Sequence, residues 1–109
     1  MQRGDIYLID FEPTRGREQS GRRPALIVTT AQFNRHQLPW VCPVTTGGVG
    51  ARHAGFAISL QNCGTDTTGV VLVHQLRSLD LRDRRARFIE RAPHFLVDAV
   101  LGAIQDILE

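Results

Sequence analysis

Three polar groups stand among the apolar runs of this sequence, and together they suit one kind of chemistry. They are Arg23, Thr45 with Thr46, and His74 with Gln75, at the strand ends and loops where a rigid scaffold presents functional side chains. Such groups suit RNA cleavage in which the substrate's own 2′-hydroxyl attacks the adjacent phosphate. That reaction requires a base for the hydroxyl, an acid for the leaving 5′-oxygen and donors for the charge on the phosphoryl oxygens. DNA has no 2′-hydroxyl and would be spared.

The sequence offers no pattern of metal ligands. Cys42 and Cys63 do not form a Cys-x-x-Cys pair, and the four histidines are scattered. The three polar groups also lack the carboxylate cluster that holds Mg²⁺ in metal nucleases. We therefore expect two free thiols and chemistry that needs no metal or other cofactor.

A long polar loop, residues 13–24, separates two runs that are predicted as strands. It carries four arginines, Glu18 with Gln19, and a proline at each end. Hairpin connections are usually two to five residues long, so this loop is either a binding element or locally disordered. The terminal prolines favour a fixed loop, because each sets its own φ and restricts the preceding residue. We interpret it as the functional loop of a nucleic-acid-directed protein.

The charge distribution is compatible with a nucleic-acid partner. All thirteen basic residues are arginine, and residues 1–91 hold all of them against eight acids, whereas the remainder holds three acids and no arginine. The guanidinium fork suits phosphate contact and base stacking, although a genome rich in G and C would also favour arginine codons. A group of arginines late in the chain is predicted to form a solvated face, with RNA phosphates or an acidic protein segment as the alternative contact: Arg82, Arg84, Arg85, Arg87 and Arg91.

Short apolar runs predict several strands followed by one helix. The strands are expected at residues 5–11, 25–29, 40–45, 56–60, 70–73 and 86–90, with helical turns at 31–35 and 78–82. Pro43 can donate no ladder hydrogen bond, so the third strand is predicted to lie at an edge or to carry a bulge. From Pro93 onward, apolar residues recur at three- and four-residue spacing, which predicts an amphipathic helix. We therefore expect one mainly β (α+β) domain over residues 1–109: a small, strongly curved antiparallel sheet or barrel with a C-terminal α-helix packed against it.

No segment predicts a membrane or a secretory route. No apolar run approaches the roughly 20 residues that a membrane helix requires. The start, Met1 to Ile6, lacks the long apolar core of a signal peptide. A cytoplasmic protein is expected.

Several separate motifs resemble one family, and they keep its spacing over nearly the whole chain. The motifs are Gly4-Asp-Ile-Tyr-Leu, Pro13-Thr-x-Gly-x-Glu-Gln-x-Gly-x-Arg-Pro24, Phe33-Asn34, Pro43-Val-Thr45, Ala54-Gly-Phe56 and Gly69-Val-Val-Leu-Val-x-Gln75. They resemble the MazF/PemK (Kid, ChpB) toxins of type II toxin–antitoxin systems. The resemblance implies an SH3-like, CcdB-type barrel, a homodimer, and inhibition by a cognate MazE/PemI-like antitoxin protein. It also implies metal-independent, sequence-specific cleavage of single-stranded messenger RNA to 2′,3′-cyclic phosphate and 5′-hydroxyl ends.

The resemblance assigns roles residue by residue. Arg23 matches the arginine before proline that is proposed to act on the scissile phosphate, and Thr45 matches the threonine that contacts this phosphate. In the Kid branch an Arg-x-Asp motif is proposed to supply the acid and base, but this chain has Leu72 and His74 there. The catalytic candidates are therefore Arg23, Thr45 and His74, whose ordinary pKa near 6.5 fits an acid or a base. The RNA-binding candidates, with Arg17 in place of a Kid histidine, are Arg17, Glu18, Gln19, Thr46, Ala54, Phe56 and Gln75.

Other interpretations of these residues remain open. Arg23 can be explained as the partner of Glu18 or another surface acid, Thr45 as an ordinary strand residue, and His74 as a structural group. A non-enzymatic toxin resembling CcdB, which binds DNA gyrase, is one rival; such proteins resemble one another in a Trp-Gly-Ile ending, where this sequence has Asp106-Ile-Leu-Glu109. A catalytically inactive RNA-binding module is the other. A gyrase supercoiling assay and an RNA gel shift without cleavage would identify them.

Overall fold

The computed structural model describes residues 1–11, 21–46 and 56–109. Within those ranges the chain forms seven strands and two α-helices: β1 (Asp5–Asp10), β2 (Arg22–Ile27), α1 (Ala31–His36), β3 (Trp40–Thr45), β4 (Ala57–Ser59), β5 (Val70–Leu72), β6 (Arg77–Ser78), β7 (Arg87–Arg91) and α2 (His94–Leu108). A first 3₁₀ turn, Val73–Gln75, joins β5 to β6, and a second, Leu81–Arg84, precedes β7. The predicted order of strands followed by one closing helix is confirmed.

The strands form one antiparallel sheet. Its hydrogen-bonded order is β4-β5-β3-β2-β1-β7, and β6 also pairs with β3. Strands β4 and β7 stand at the two ends of that order, so the sheet of the described residues is open. The predicted antiparallel sheet with a C-terminal helix is therefore confirmed, in the open form.

Strand β2 begins three residues earlier than the sequence pattern predicted. Arg22, Arg23 and Pro24 continue the ladder with β1, where Arg23 lies opposite Ile9 and Pro24 opposite Leu8. Apolar alternation does not mark these positions, because two are charged and one is a proline. Backbone pairing depends on main-chain groups rather than on side-chain polarity, so β1 extends the strand into the predicted loop.

Strand β3 is central, so the first of the two alternatives predicted from Pro43, an edge position, is wrong. Its carbonyl at Trp40 accepts from the Val28 N–H on the β2 side, and main-chain groups alternate sides along a strand. The Pro43 nitrogen therefore points away from β2. On that side β6 pairs with β3 up to Val41 and β5 pairs from Val44, so neither requires a donor at Pro43. The first 3₁₀ turn spans this gap.

Residue alternation in the strands divides the core between the two faces of the sheet. One face packs against α2 and includes Ile6, Leu26, Val44, Leu96 and Val100. The opposite face packs against the second 3₁₀ turn, and its cluster is Ile9, Phe11, Ala25, Ile27, Val41, Leu79 and Leu81. Full burial of such a side chain stabilises by about 1.5–3 kcal/mol, so both faces are held firmly. No helix in the described ranges is long and apolar enough to cross a membrane.

Candidate functional site

Arg23 and Thr45 lie on neighbouring strands and on the same face of the sheet. The β2–β3 ladder ends at Ala25 opposite Pro43, and Arg23 and Thr45 each stand two residues beyond that pair. Alternation puts both side chains on the face that carries Ala25 and Val41. Both residues are half-buried. The fold therefore brings the two sequence-predicted phosphate-binding residues to one place.

The guanidinium of Arg23 lies over an aromatic ring. Its Cζ is 5.8 Å from the centre of the Phe11 ring, and the Cζ of Arg77 is 5.6 Å from the same centre. Cation–π contacts of this kind are worth about 0.5–1 kcal/mol at exposed sites. Within the described ranges no carboxylate pairs with either arginine. The ring therefore orients two guanidinium groups while their N–H donors face no described acid.

Two further arginines hold Phe11 in position. Arg84 Nη1 donates to the Phe11 carbonyl oxygen at 2.9 Å, and Arg85 Nη2 lies 3.2 Å from Oδ2 of the buried Asp10. Both arginines had been predicted to belong to a solvated face; Arg84 is instead half-buried, whereas Arg85 stays exposed while it pairs with Asp10. The reason is that the second 3₁₀ turn folds back onto the end of β1, which offers it a carbonyl and a buried carboxylate.

A close backbone approach fixes Thr45. Thr45 pairs with Val70 of β5, and the preceding Gly69 has a φ of +112°. A Cβ at Gly69 would lie 2.1 Å from the Thr45 carbonyl oxygen, and the Gly69 carbonyl accepts from the Leu60 N–H at 2.9 Å. Only glycine fits such a position without displacing its neighbour. Gly69 therefore sets the distance between the two strands at Thr45.

Glu90 anchors the loop that leads to Gly69. Its Oε2 accepts from Thr67 N at 2.7 Å and from Thr67 Oγ1 at 2.6 Å, and its Oε1 accepts from Asp66 N at 3.0 Å. Desolvation by burial raises the pKa of Glu90, but the hydrogen bonds from Thr67 and Asp66 outweigh it, so the net pKa is lowered. The ionised carboxylate thereby fixes the loop against β7.

His74 and Phe56 form a second part of the site. Their ring centres lie 6.0 Å apart with a 52° tilt, and Val73 N donates to the Phe56 carbonyl oxygen at 2.8 Å. Both rings are exposed, Phe56 by 41%, and the exposed Gln75 ends the same 3₁₀ turn. Exposed aromatic rings are the surfaces on which unpaired bases stack. The pair is thus suited to a single-stranded nucleic acid.

The chain matches a family model described as PemK-like, MazF-like toxin of type II toxin-antitoxin system, over residues 2–108. It belongs to this family. It is 50% identical over 109 residues to an endoribonuclease PemK of Escherichia coli, covering 99% of this chain and 82% of the relative. It is 42% identical over 110 residues to the endoribonuclease toxin ChpB of Escherichia coli strain K12, covering 100% of this chain and 95% of the relative. The resemblance inferred from the motifs is confirmed.

Solved structures of this family share the fold. The MazF crystal structure (Form-I) from Deinococcus radiodurans superposes with a TM-score of 0.81 at 35% identity, covering 99% of this chain and 96% of that one. A MazE-MazF crystal structure (Form-II) from the same organism gives a TM-score of 0.79 at 32% identity, covering 99% of this chain and 94% of that chain. An open sheet with a closing helix is therefore the fold of a PemK-like, MazF-like toxin.

Four of the predicted site residues lie outside the described ranges: Arg17, Glu18, Gln19 and Ala54. The other six fall in two groups. Arg23, Thr45 and the exposed Thr46 lie at adjoining ends of β2 and β3, and Phe56, His74 and Gln75 lie around β5. Since β5 pairs with β3 at Thr45, the two groups adjoin along the central strand of this toxin.

Sequence reasoning missed Arg77 and Phe11. No spacing rule relates them to Arg23, because the contacts join positions far apart in the chain. Arg77 stands two residues after Gln75, at the end of a family motif, and that nearness was the one available signal. Phe11 resembled any strand aromatic.

No metal centre is evident in the described residues. No group of three or more His, Cys, Asp or Glu side chains there is arranged to hold a metal ion. Cys42 and Cys63 are free thiols, as predicted. Burial raises the pKa of Cys42 to about 12, which keeps this thiol protonated and unreactive near neutral pH.

Proposed function

We propose that this chain is the endoribonuclease toxin of a type II toxin–antitoxin system. It cleaves single-stranded messenger RNA at a short sequence, without a metal, and leaves 2′,3′-cyclic phosphate and 5′-hydroxyl ends. The observation that carries the proposal is the position of Arg23 and Thr45 on one face of the sheet, where no described carboxylate neutralises the arginine. The names of relatives at 50% and 42% identity, both endoribonucleases, support it.

In the proposed reaction the 2′-oxygen attacks phosphorus and the bond from phosphorus to the 5′-oxygen breaks. Arg23 donates to the phosphoryl oxygens and stabilises the negative charge that builds there, and the Thr45 hydroxyl holds the same phosphate. One proton leaves the 2′-hydroxyl and one is delivered to the 5′-oxygen. His74 is the candidate for one of these transfers, because an imidazole can both accept and donate a proton.

The exposed rings of Phe56 and His74 supply a stacking surface for bases. Gln75 and Thr46 carry hydrogen-bonding groups beside it. Arg17, Glu18, Gln19 and Ala54 complete the proposed RNA groove on the strength of the family motifs. Recognition of single-stranded rather than duplex RNA follows, because a paired base offers no free face to these rings.

The proposal includes partners and surroundings. The toxin is inhibited by a cognate MazE/PemI-like antitoxin, which is supported by solved MazE-MazF complexes with the same fold. It acts in the cytoplasm, where messenger RNA is found, as a homodimer of single-domain, SH3-like barrel subunits covering residues 1–109. Neither a membrane nor a cofactor takes part.

Cleavage of a long single-stranded RNA by the purified chain in excess EDTA tests this function. We expect cuts at a recurring short sequence. The cyclic phosphate is identified because it blocks ligation of a label to the new 3′ end until the phosphate is removed enzymatically. Arg23→Ala and Thr45→Ala are expected to lose activity by about 10²–10³-fold while staying folded.

Arg35→Ala is the matched control. Arg35 is exposed on α1, which precedes the start of β3, whereas Thr45 ends that strand. This variant should cut as the parent does. Intact RNA with the parent chain would contradict the nuclease proposal; a gel shift without cleavage would then indicate an RNA-binding module, and loss of gyrase supercoiling a gyrase-directed toxin.

A further inference from the structure

Arg77 is an exposed arginine on the site face, and no family motif used above assigns it a role. In the β3–β6 ladder it lies opposite Val41, whose side chain belongs to the same face as Phe11 and Ala25. Its guanidinium carbon lies 5.6 Å from the Phe11 ring centre, against 5.8 Å for that of Arg23. The side chains of β1, β2 and β6 thus converge over one ring.

We propose that Arg77 and Phe11 form a second phosphate-binding subsite, which holds an RNA phosphate next to the one that Arg23 contacts. The inference rests on the proposed function. Two guanidinium groups over one ring are close enough to meet neighbouring phosphates of a single strand. The ligand class is a phosphodiester, because a planar guanidinium fork donates two parallel hydrogen bonds to two oxygens of one phosphate.

The surrounding charges favour a ligand over an internal partner. The buried carboxylate nearest in sequence to Phe11, Asp10, is engaged by Arg85, and Arg84 is engaged by the Phe11 carbonyl. Arg22 Nη2 donates weakly to the Arg85 carbonyl at 3.4 Å. These contacts involve Arg22, Arg84 and Arg85. Among the described residues, no carboxylate pairs with Arg23 or Arg77. Within the part of the chain that the structure describes, an approaching strand therefore meets two guanidinium groups that lie over one ring and pair with no carboxylate.

The competing explanation is that Arg77 merely covers the Phe11 ring with its apolar stem, as long charged side chains often do. The two explanations predict different effects when the Arg77 side chain is replaced by an uncharged one. A covering role affects the stability of the fold. A phosphate-binding role affects RNA affinity, in a manner that depends on the charge of one particular phosphate.

The test uses the full-length chain and a short RNA that contains the mapped cleavage sequence. The RNA is made uncleavable by a 2′-deoxy nucleotide at the cut, and one linkage at a time is replaced by an uncharged methylphosphonate. Dissociation constants are measured for the parent, Arg77→Ala, Arg77→Gln and the control Arg35→Ala. Cleavage of the unmodified RNA by the same four proteins gives kcat and KM.

We expect Arg77→Ala and Arg77→Gln to bind about ten- to a hundredfold more weakly, with KM raised and kcat changed less than threefold. The slope of log Kd against log salt should fall by about 0.7, the value for one phosphate contact on a single strand. One methylphosphonate beside the cut should weaken the parent by a similar factor and leave both Arg77 variants unaffected. Arg35→Ala should behave as the parent.

Equal sensitivity of parent and Arg77 variants to every methylphosphonate would overturn the subsite. So would unchanged RNA affinity in variants that unfold at the parent's temperature. A fall in kcat with unchanged affinity would also overturn it, because Arg77 would then act only through Arg23. If the parent chain does not cut RNA in EDTA, the proposed function fails, and that result is separate from any effect of Arg77.

Discussion

The proposed role of Arg23 depends on the residues that orient its guanidinium as well as on its charge. The Phe11 ring orients the guanidinium, and the alternation of β2 and β3 puts Thr45 on the same face of the sheet. Gly69 also supports the site. Its positive φ of +112° and the nearby Thr45 carbonyl oxygen leave no room for a side chain there. At the scale of single residues, the site therefore depends on the ring of Phe11 and on the absence of a side chain at Gly69.

Arg23→Lys tests the shape of the cation rather than its charge. Lysine keeps the positive charge but loses the planar guanidinium fork that lies over Phe11. We expect kcat in the RNA cleavage assay to fall about ten- to a hundredfold, with little change in the thermal unfolding temperature. Activity equal to that of the parent would show that a point charge is sufficient.

Gly69→Ala tests the close approach to Thr45. The added Cβ must strain the backbone or move β5 away from β3, so we expect a loss of about 2 kcal/mol or more in unfolding free energy and reduced cleavage. Denaturant titration and the cleavage assay measure the two effects. Gly64→Ala is the control: Gly64 also has a positive φ, but a Cβ there would meet no atom within 4 Å. Equal losses in both variants would assign the effect to backbone strain alone.

At the scale of elements, the loop between β4 and β5 is fixed through Glu90. Three hydrogen bonds from Asp66 and Thr67 converge on this carboxylate, and the loop ends at Gly69. The position of Thr45 thus depends partly on a side chain from β7, a strand at the far end of the sheet order.

This arrangement predicts a pH dependence of stability. Because the pKa of Glu90 is lowered in the folded chain, its contribution is fully present above the unfolded value of about 4.3 and is lost as pH falls through the folded pKa. Glu90→Gln should lose about 1–2 kcal/mol of unfolding free energy at pH 7 and show a smaller further loss between about pH 5 and pH 3. Denaturant titrations at several pH values measure this, with the exposed Asp98→Asn as control. Parallel curves for parent and Glu90→Gln would contradict it.

The elements differ in how well the sequence predicted them. β1 and α2 were predicted because burial imposes apolar alternation on one and a three- and four-residue repeat on the other. The start of β2 at Arg22 was not, since its pairing with β1 involves main-chain groups that leave no pattern in the sequence. Pro43 was misassigned to an edge for a similar reason: whether a missing N–H matters depends on which strand lies opposite. The site residues Arg23, Thr45 and His74 were predicted as polar groups at the ends of apolar runs, and Arg23 and Thr45 also matched family motifs, whereas Arg77 required the folded contact.

At the scale of the whole molecule, each face of the sheet carries one apolar cluster. The face opposite α2 also carries the Arg23 part of the proposed site. The helix-side cluster is built around α2, in which Leu96, Val97, Val100 and Ala103 are buried. The opposite cluster includes Phe11 and so continues directly into the proposed RNA groove. The sheet therefore separates the Arg23 part of the site from α2, whereas Val73, in the turn that carries His74 and Gln75, belongs to the helix-side cluster.

Leu96→Ala tests this separation. Leu96 is 2% exposed in the helix-side cluster, and its truncation should cost about 2–5 kcal/mol of unfolding free energy. Because the change lies on the face away from Arg23, RNA cleavage by the molecules that remain folded should be nearly unchanged. The adjacent Phe95→Ala is the control, since Phe95 is 61% exposed; it should leave unfolding within about 0.5 kcal/mol of the parent. A large activity loss in folded Leu96→Ala would show that the faces are coupled.

Pro43 has a consequence that extends beyond its own strand. It offers no donor toward the side where β5 and β6 meet, so no ladder hydrogen bond from it can draw the chain between them into one continuous strand. Of the four residues between β5 and β6, Val73–Gln75 form the first 3₁₀ turn, which presents His74 and Gln75 to solvent. Pro43 is buried and does not contact the proposed RNA. Because it has no backbone N–H, it nevertheless influences which side chains of the neighbouring segment are available to the substrate.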